Sequence, residues 1–370
     1  MRTVLFGLIV SLFLGLKNSA WAYQLGKMTA FKGSELCQLA DNTNEYLALG
    51  VEFDQKAIHG GSLNSRQFSL DQVKKTLEFI CHTYRQDVRA KRQSRLHDAA
   101  FIEQNFELVP WYPELERARQ IAAKTDNQGR KSLLNRIPEN KILLTKYYAK
   151  KITGKAQPVE PYVHALYSLP YDEVGLTEDQ AQIQKNKLTR FKYSRQQVMR
   201  GVIDTQKLAP PLIYVTEAAL HDILLQGTAV VKQGDSTRYF NVDRNNGIDY
   251  DYAAEKDQQA RYWYFREVPG VMGYGKTAKR KIQIYPQVTV AGDVQQLGLG
   301  KLIALTYKQD QQTVTRLTLL ADEGGAFKNN LFQLDLMVGF YQGWRDYHAA
   351  NQHLPDFVQA HILLLKDSDE

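Results

Sequence analysis

Leu319–Gly343 reads LLADEGGAFKNNLFQLDLMVGFYQG, and the rest of the chain is organised around it. The apolar run Leu317, Leu319, Leu320 and Ala321 reads as a strand that delivers Asp322 to a turn at Gly324 and Gly325. A second apolar run carries Asp335 between Leu334 and Leu336, with Gly339 following. Two carboxylates are thereby presented on neighbouring strands, with glycines that let backbone or ligand come close. These residues alone leave two readings open. Asp322 is a turn residue and Asp335 an outward-facing residue of an amphipathic strand, or the two together floor a site.

Outward from this stretch the chain is rich in short strand-like runs. They cover 141–148, 162–169, 212–215, 228–232, 237–242, 261–267, 282–290, 301–307, 315–321, 331–338 and 357–365. Many short strands separated by Gly, Asp and Asn turns favour a barrel over a doubly wound sheet. Helices are expected mainly at the N-terminal end. Residues 23–66 read as irregular apart from a short helical signal at 34–40. A helix then starts at Ser69, where Ser69 and Gln72 form a capping box, and Leu70, Val73, Leu77, Ile80, Tyr84 and Val88 recur at helical spacing. A second helical stretch is predicted over 99–108, broken by Pro110 and Pro113. Residues 114–139 read as a polar, partly helical surface insertion. Two further helical starts are expected, at Ser194 with Gln197 completing a capping box and over 216–225.

The 370 residues are 44% hydrophobic and 24% charged, an ordinary globular balance with room for two domains. Arg2, the apolar run from Val4 to Leu16 and Ala20-Trp21-Ala22 form a cleavable signal peptide over 1–22. The cleavage site has no Cys for a lipid anchor, and no second apolar run is long enough to span a membrane. A periplasmic or secreted protein without an integral membrane segment is expected, and nucleic acid is not an expected partner. Removing Arg2 and Lys17 from the formal +7 leaves +5, which suits an anionic polymer such as the cell wall or simply a solubilising surface. The two cysteines, Cys37 and Cys81, read as one disulfide in an exported chain.

The 8 His are scattered without metal-ligand spacing, so no metal and no cofactor are expected. No GxSxG elbow or Walker loop occurs, and GVMGYG at 270–275 reads as a turn between strands. Carboxylate chemistry remains. At this point a resemblance becomes specific. Asp322, Gly324, Gly325, Ala326, Phe327 and Lys328, followed by Asp335 and Gly339, resemble the active-site signature of the membrane-bound lytic murein transglycosylase A family. Leu144-Thr145-Lys146-Tyr147-Tyr148, Tyr167-Ser168-Leu169-Pro170, Gln226-Gly227-Thr228, Tyr264-Phe265-Arg266 and Val290-Ala291-Gly292-Asp293 resemble its other motifs, in order, over 141–366. The chain departs from the pattern at Lys146, Lys150, Asn329 and Leu334, and its segment between the two aspartates is longer by two.

The resemblance implies a mainly β protein with N-terminal helices. A double-psi β-barrel would be built from 23–150 and 260–370, with a second small β-rich domain at 151–259 inserted. Peptidoglycan glycan strands would lie between them. Apart from the resemblance, a remaining reading is an unrelated exported protein, such as a secretion-system component, whose cell-wall or secretion-machinery partners would dock on the insertion at 114–139. The resemblance also implies a lyase that cuts the β-1,4 bond between N-acetylmuramic acid and N-acetylglucosamine and leaves a 1,6-anhydro end. One carboxyl suffices for that reaction, first as acid and then as base, unlike the two-carboxylate hydrolases. Asp335 is the expected acid and base, its pKa raised by Leu334, Leu336 and the charge of Asp322. Thr145, Tyr147 and Gln226 are expected to hold the sugar and Lys328 either to bond it or to orient Asp322, with Gly324 and Gly325 allowing its approach. The alternative is a non-catalytic peptidoglycan-binding or scaffold protein on the same fold.

Overall fold

The computed structural model describes residues 24–251, 253–325 and 327–367. The signal-peptide expectation therefore lies outside the described residues, as does Ala326. Among the described residues no helix is long and apolar enough to cross a membrane.

Six strands close on themselves. We number them β1 (Ile142–Thr153), β2 (Thr289–Ala291), β3 (Leu302–Gln309), β4 (Gln312–Asp322), β5 (Gln333–Tyr341) and β6 (Phe357–Leu365). Their order round the barrel is β1-β5-β2-β4-β3-β6 and back to β1. The β1–β5 and β2–β4 pairs are parallel, and the remaining four are antiparallel. This closed mixed barrel is the fold expected from the sequence. Val314 to Ala321 are all buried, because β4 faces the barrel interior on one side and the N-terminal helix α1 (Gly33–Leu47) on the other. Its polar members are paired there: the Thr315 and Thr306 hydroxyls lie 2.9 Å apart, and Arg316 donates to Gln287 Oε1 at 2.7 Å. Helix α2 (Leu70–Arg89) covers β6, and the Cys37–Cys81 disulfide ties it to α1.

The observed elements correct several expectations. Residues 23–66 contain the whole of α1. The capping box at α2 is only half formed: Ser69 accepts from the Gln72 backbone, but the Gln72 amide donates to the Leu365 carbonyl at 3.3 Å. The predicted helix over 99–108 stops at Asn105, and Phe106–Trp111 is a strand beside β6. Pro110 is tolerated there because this strand is paired on one side only, where its missing N–H costs no ladder bond. Of the strand predicted over 282–290 only its end, in β2, is regular. Residues 114–139 form two helices, Leu115–Lys124 and Gln128–Asn135, whose Ala118, Ala122 and Leu134 pack on Leu143 and Phe332. They cover the barrel just ahead of Asp335.

A second core lies between 152 and 265, built from residues such as Leu166, Ile213, Ala229, Phe240, Tyr262 and Phe265. Its sheet joins the barrel through β1. Residues of β1 up to Lys150 pair with β5, and Lys151–Thr153 pair with Val230–Lys232. One continuous strand thus spans both cores and sets a cleft between them. Both later helices appear, Arg195–Met199 with its full capping box and Glu217–Gln226 capped by Thr216.

Candidate active site

The register of β2 brings the two aspartates together. Ala291 pairs with Asp335 of β5 on one side and with Asp322 of β4 on the other. The carboxylates therefore hang from strands two spacings apart, about 10 Å between backbones.

Asp335 sits between the fully buried Leu334 and Leu336 and opposite Thr145 of β1. Its Oδ1 is buried, and it has no hydrogen-bond partner among the described residues. Burial pushes its pKa up to about 7; the neighbouring Asp322 charge adds to the rise, while the Thr145 hydroxyl and Lys146 ammonium draw it down. The segment leading into it is fixed at each step. Asn330 N–H donates to Asp293 at 2.9 Å, the Trp111 indole donates to the Leu331 carbonyl at 2.9 Å, and Gln333 Nε2 donates to Thr145 Oγ1 at 2.8 Å. Past Asp335, β5 carries a bulge at Gly339, whose φ of 151° suits glycine.

Asp322 is half-buried at the end of β4. Tyr147 donates its hydroxyl to Asp322 Oδ2 at 2.7 Å, and the Glu323 N–H donates to Oδ1 at 2.8 Å. Burial pushes its pKa up to about 6, against the pull of these two bonds and of the Lys281 ammonium. Tyr147 is held well above the usual phenol range by its burial and by the Asp322 charge. Gly273 lets the 270–275 segment close over this strand. A Cβ there would stand 2.6 Å from Ile284 Cγ2, 2.8 Å from the Ala321 carbonyl oxygen and 3.2 Å from the Asp322 carboxyl carbon.

Both aspartates open into one cleft of ≈ 570 Å³ between the two cores. Asp322, Asp335, Tyr147, Gln226 and Gly324 all line it, so five of the residues singled out in the sequence converge. Gln226 ends the helix Glu217–Gln226 and accepts from the Lys150 N–H at 3.3 Å. Thr145 stands behind Asp335 and borders a neighbouring cleft instead. Gly325 and Lys328 are exposed and do not line the cleft. Several lining residues escaped the sequence reading. Lys146, Lys281 and Tyr347 flank the aspartates, and Gly273 and Asn241 form part of the walls. Lys146 could have been found, since it stands inside a motif; Asn241 and Tyr347 carry no local signal. Tyr347 belongs to a ring cluster with Tyr148, stacked at 4.7 Å, and Tyr341. Among the described residues the one group with metal-ligand spacing is Cys37, Asp41 and Cys81, and its sulfurs are committed to the disulfide.

No family model matches the sequence, and no curated protein matches it. Solved structures do. The membrane-bound lytic murein transglycosylase from Agrobacterium tumefaciens superposes with a TM-score of 0.53 at 14% identity, covering 90% of this chain and 92% of that one. MltA from Neisseria gonorrhoeae superposes with a TM-score of 0.52 at 15% identity, covering 93% and 90%. Its monoclinic form gives 0.51 at 15%, covering 94% and 97%. At this identity the likeness establishes a shared fold over nearly the whole of both chains.

Proposed function

On a barrel shared with lytic murein transglycosylases, we propose that this chain is itself a peptidoglycan lytic transglycosylase, working outside the cytoplasm on glycan strands. The observation that carries the reading is Asp335: a carboxyl with a buried, unpartnered oxygen, facing a cleft between two cores and holding its proton to about pH 7. A general acid needs that combination.

Asp335 gives its proton to the glycosidic oxygen as the bond from C1 of N-acetylmuramic acid to that oxygen breaks. The 6-hydroxyl oxygen of the same sugar then bonds to C1, and its proton returns to Asp335. The carboxyl ends as it began, no water is consumed, and the product carries a 1,6-anhydro ring. Asp322 tunes this group: its charge, fixed by Tyr147 and Lys281, helps keep Asp335 protonated. Thr145 acts as a positioning residue, since its hydroxyl is held by Gln333 Nε2 and donates to the Leu334 carbonyl at 3.3 Å beside the acid. Gln226 and Tyr147 line the cleft that takes the sugar, and Gly324 leaves room for it. We assign Lys328 no part in the sugar contact.

Mass spectrometry of murein sacculi digested by the purified protein tests the reading. Muropeptides lighter by one water than their hydrolysed counterparts are expected. Hydrolysed ends would overturn the mechanism, and sacculi bound without any product would favour the non-catalytic wall-binding alternative.

A further inference from the structure

The ionisable side chains Lys146, Lys281, Asp322, Glu323 and Asp335 line the aspartate cleft. All but one are already answered. Lys146 pairs with Asp356 at 3.3 Å, and Glu323 with Lys56 at 2.5 Å. Asp322 accepts from the Tyr147 hydroxyl and the Glu323 N–H, and Asp335 holds its proton to about pH 7. Lys281 is the exception. Among the described residues it has neither a hydrogen bond nor an ion pair, and the Asp322 charge acts on it without pairing. It is half-buried, and burial draws its pKa below the usual lysine range. A partly desolvated ammonium with its donors unspent is costly until an anion completes it.

The backbone fixes where this ammonium stands. The Gly273 N–H donates to the Ile282 carbonyl at 2.8 Å, the Ile282 N–H to the Tyr274 carbonyl at 2.8 Å, and the Tyr274 N–H to the Ala321 carbonyl at 3.1 Å. These bonds tie the segment around Lys281 to the end of β4, next to Asp322. Gly275 lies against the lysine stem, where a Cβ would stand 2.6 Å from Lys281 Cγ. The stem is packed, and the side chain lines the cleft.

We propose that Lys281 reads the free lactyl carboxylate of N-acetylmuramic acid, so that the chain favours glycan strands from which the stem peptide has been removed. The proposal rests on the reading of this cleft as the glycan site. The lactyl group hangs from C3 of the same ring whose C1 loses the glycosidic oxygen, so its charge enters the cleft with the reacting bond. The other carboxylates of the polymer lie farther out along the stem peptide. While the stem is attached, the lactyl carboxyl is a neutral amide and Lys281 stays unanswered. Amide hydrolysis changes that. The oxygen of water bonds to the lactyl carbonyl carbon as the C–N bond breaks, and the stem leaves as an amine that takes up a proton. A reaction of that class supplies the favoured substrate.

Cleavage rates on stem-free strands carrying either the lactyl carboxylate or its primary amide test this, since the two differ in charge and hardly in size. Wild type should show kcat/KM higher on the carboxylate by on the order of tenfold, carried mainly by KM. Lys281→Gln should abolish that preference, and Lys281→Arg, which keeps the charge, should retain it. Both strands meet the same Asp322 and Asp335, so any effect of the substitution on the acid cancels in the ratio. Calorimetric binding of the two strands to Asp335→Asn, with and without Lys281→Gln, gives the same comparison without turnover. Equal cleavage of both strands by wild type overturns the proposal, as does a preference that survives Lys281→Gln or faster cleavage of stem-bearing strands than of stem-free ones. Each of these leaves the glycan reading of the cleft standing. If wild type neither cleaves nor binds any of the strands, both fall together.

Discussion

Asp335 is held in a form that water would not favour, and this has consequences for both rate and stability. A carboxyl whose pKa rises from 3.8 to about 7 keeps its proton in the folded chain where the unfolded chain has lost it. The resulting stability is fully present below the unfolded value and is lost as pH rises through about 7. Asp335→Asn removes that penalty. Its stability should match wild type at acid pH and exceed it above neutrality by roughly 2 to 4 kcal/mol in linkage terms; thermal unfolding across the pH range checks this. The cleavage rate should fall above about pH 7 as the acid is lost. Lys146→Met should move that limb to higher pH, because the ammonium that draws Asp335 down is gone. A pH–rate profile with an unmoved limb would show that Lys146 acts only through its pair with Asp356. Sequence reading reached Asp335 and its apolar neighbours directly. It took Lys146 as a bare departure from a motif, since nothing local shows that β1 places it between an aspartate on each side.

At the scale of elements, the site depends on how closely three segments approach. The 270–275 turn lies against β4 only because position 273 lacks a side chain, so Gly273→Ala should push the turn or Asp322 aside. We expect a loss of about 1 to 3 kcal/mol of stability and, from displacement of the order of 1 Å, a rate lower by about 100-fold. Denaturant melts and turnover measured on the same sample separate the two effects. This closeness was invisible in the sequence, where GVMGYG reads as an ordinary turn. The strands themselves were legible because their apolar runs end at Gly, Asp and Asn. Phe106–Trp111 was not, because its residues continue the preceding helical pattern and Pro110 reads as a breaker. Only the partner β6, distant in sequence, makes it a strand. The helices of 114–139 look like a polar insertion for a similar reason: their few apolar residues gain meaning from Leu143 and Phe332.

For the whole molecule, the barrel is closed by β1, from the middle of the chain, pairing with β5 and β6 near its C-terminal end, and the cleft forms where β1 passes from one core to the other. The helical pair α1–α2 braces the barrel from outside, and none of its residues lines the aspartate cleft. Cys37→Ser with Cys81→Ser should therefore lower stability by about 2 to 4 kcal/mol and leave the pH limb of cleavage where it was, as melts and pH–rate profiles will show. The order of motifs along the chain carried the fold: those at 144–148, 226–228, 290–293 and 322–339 sit at barrel strands or cleft walls, and those at 167–170 and 264–266 in or beside the second core. The central claim is that Asp335 alone moves the proton. Release of anhydro-muropeptides from sacculi by wild type, Asp335→Asn and Asp322→Asn tests it most directly. The account predicts release that drops by on the order of 10³-fold or more in Asp335→Asn, with sacculus binding retained, and a smaller loss in Asp322→Asn. Undiminished release by Asp335→Asn would contradict it.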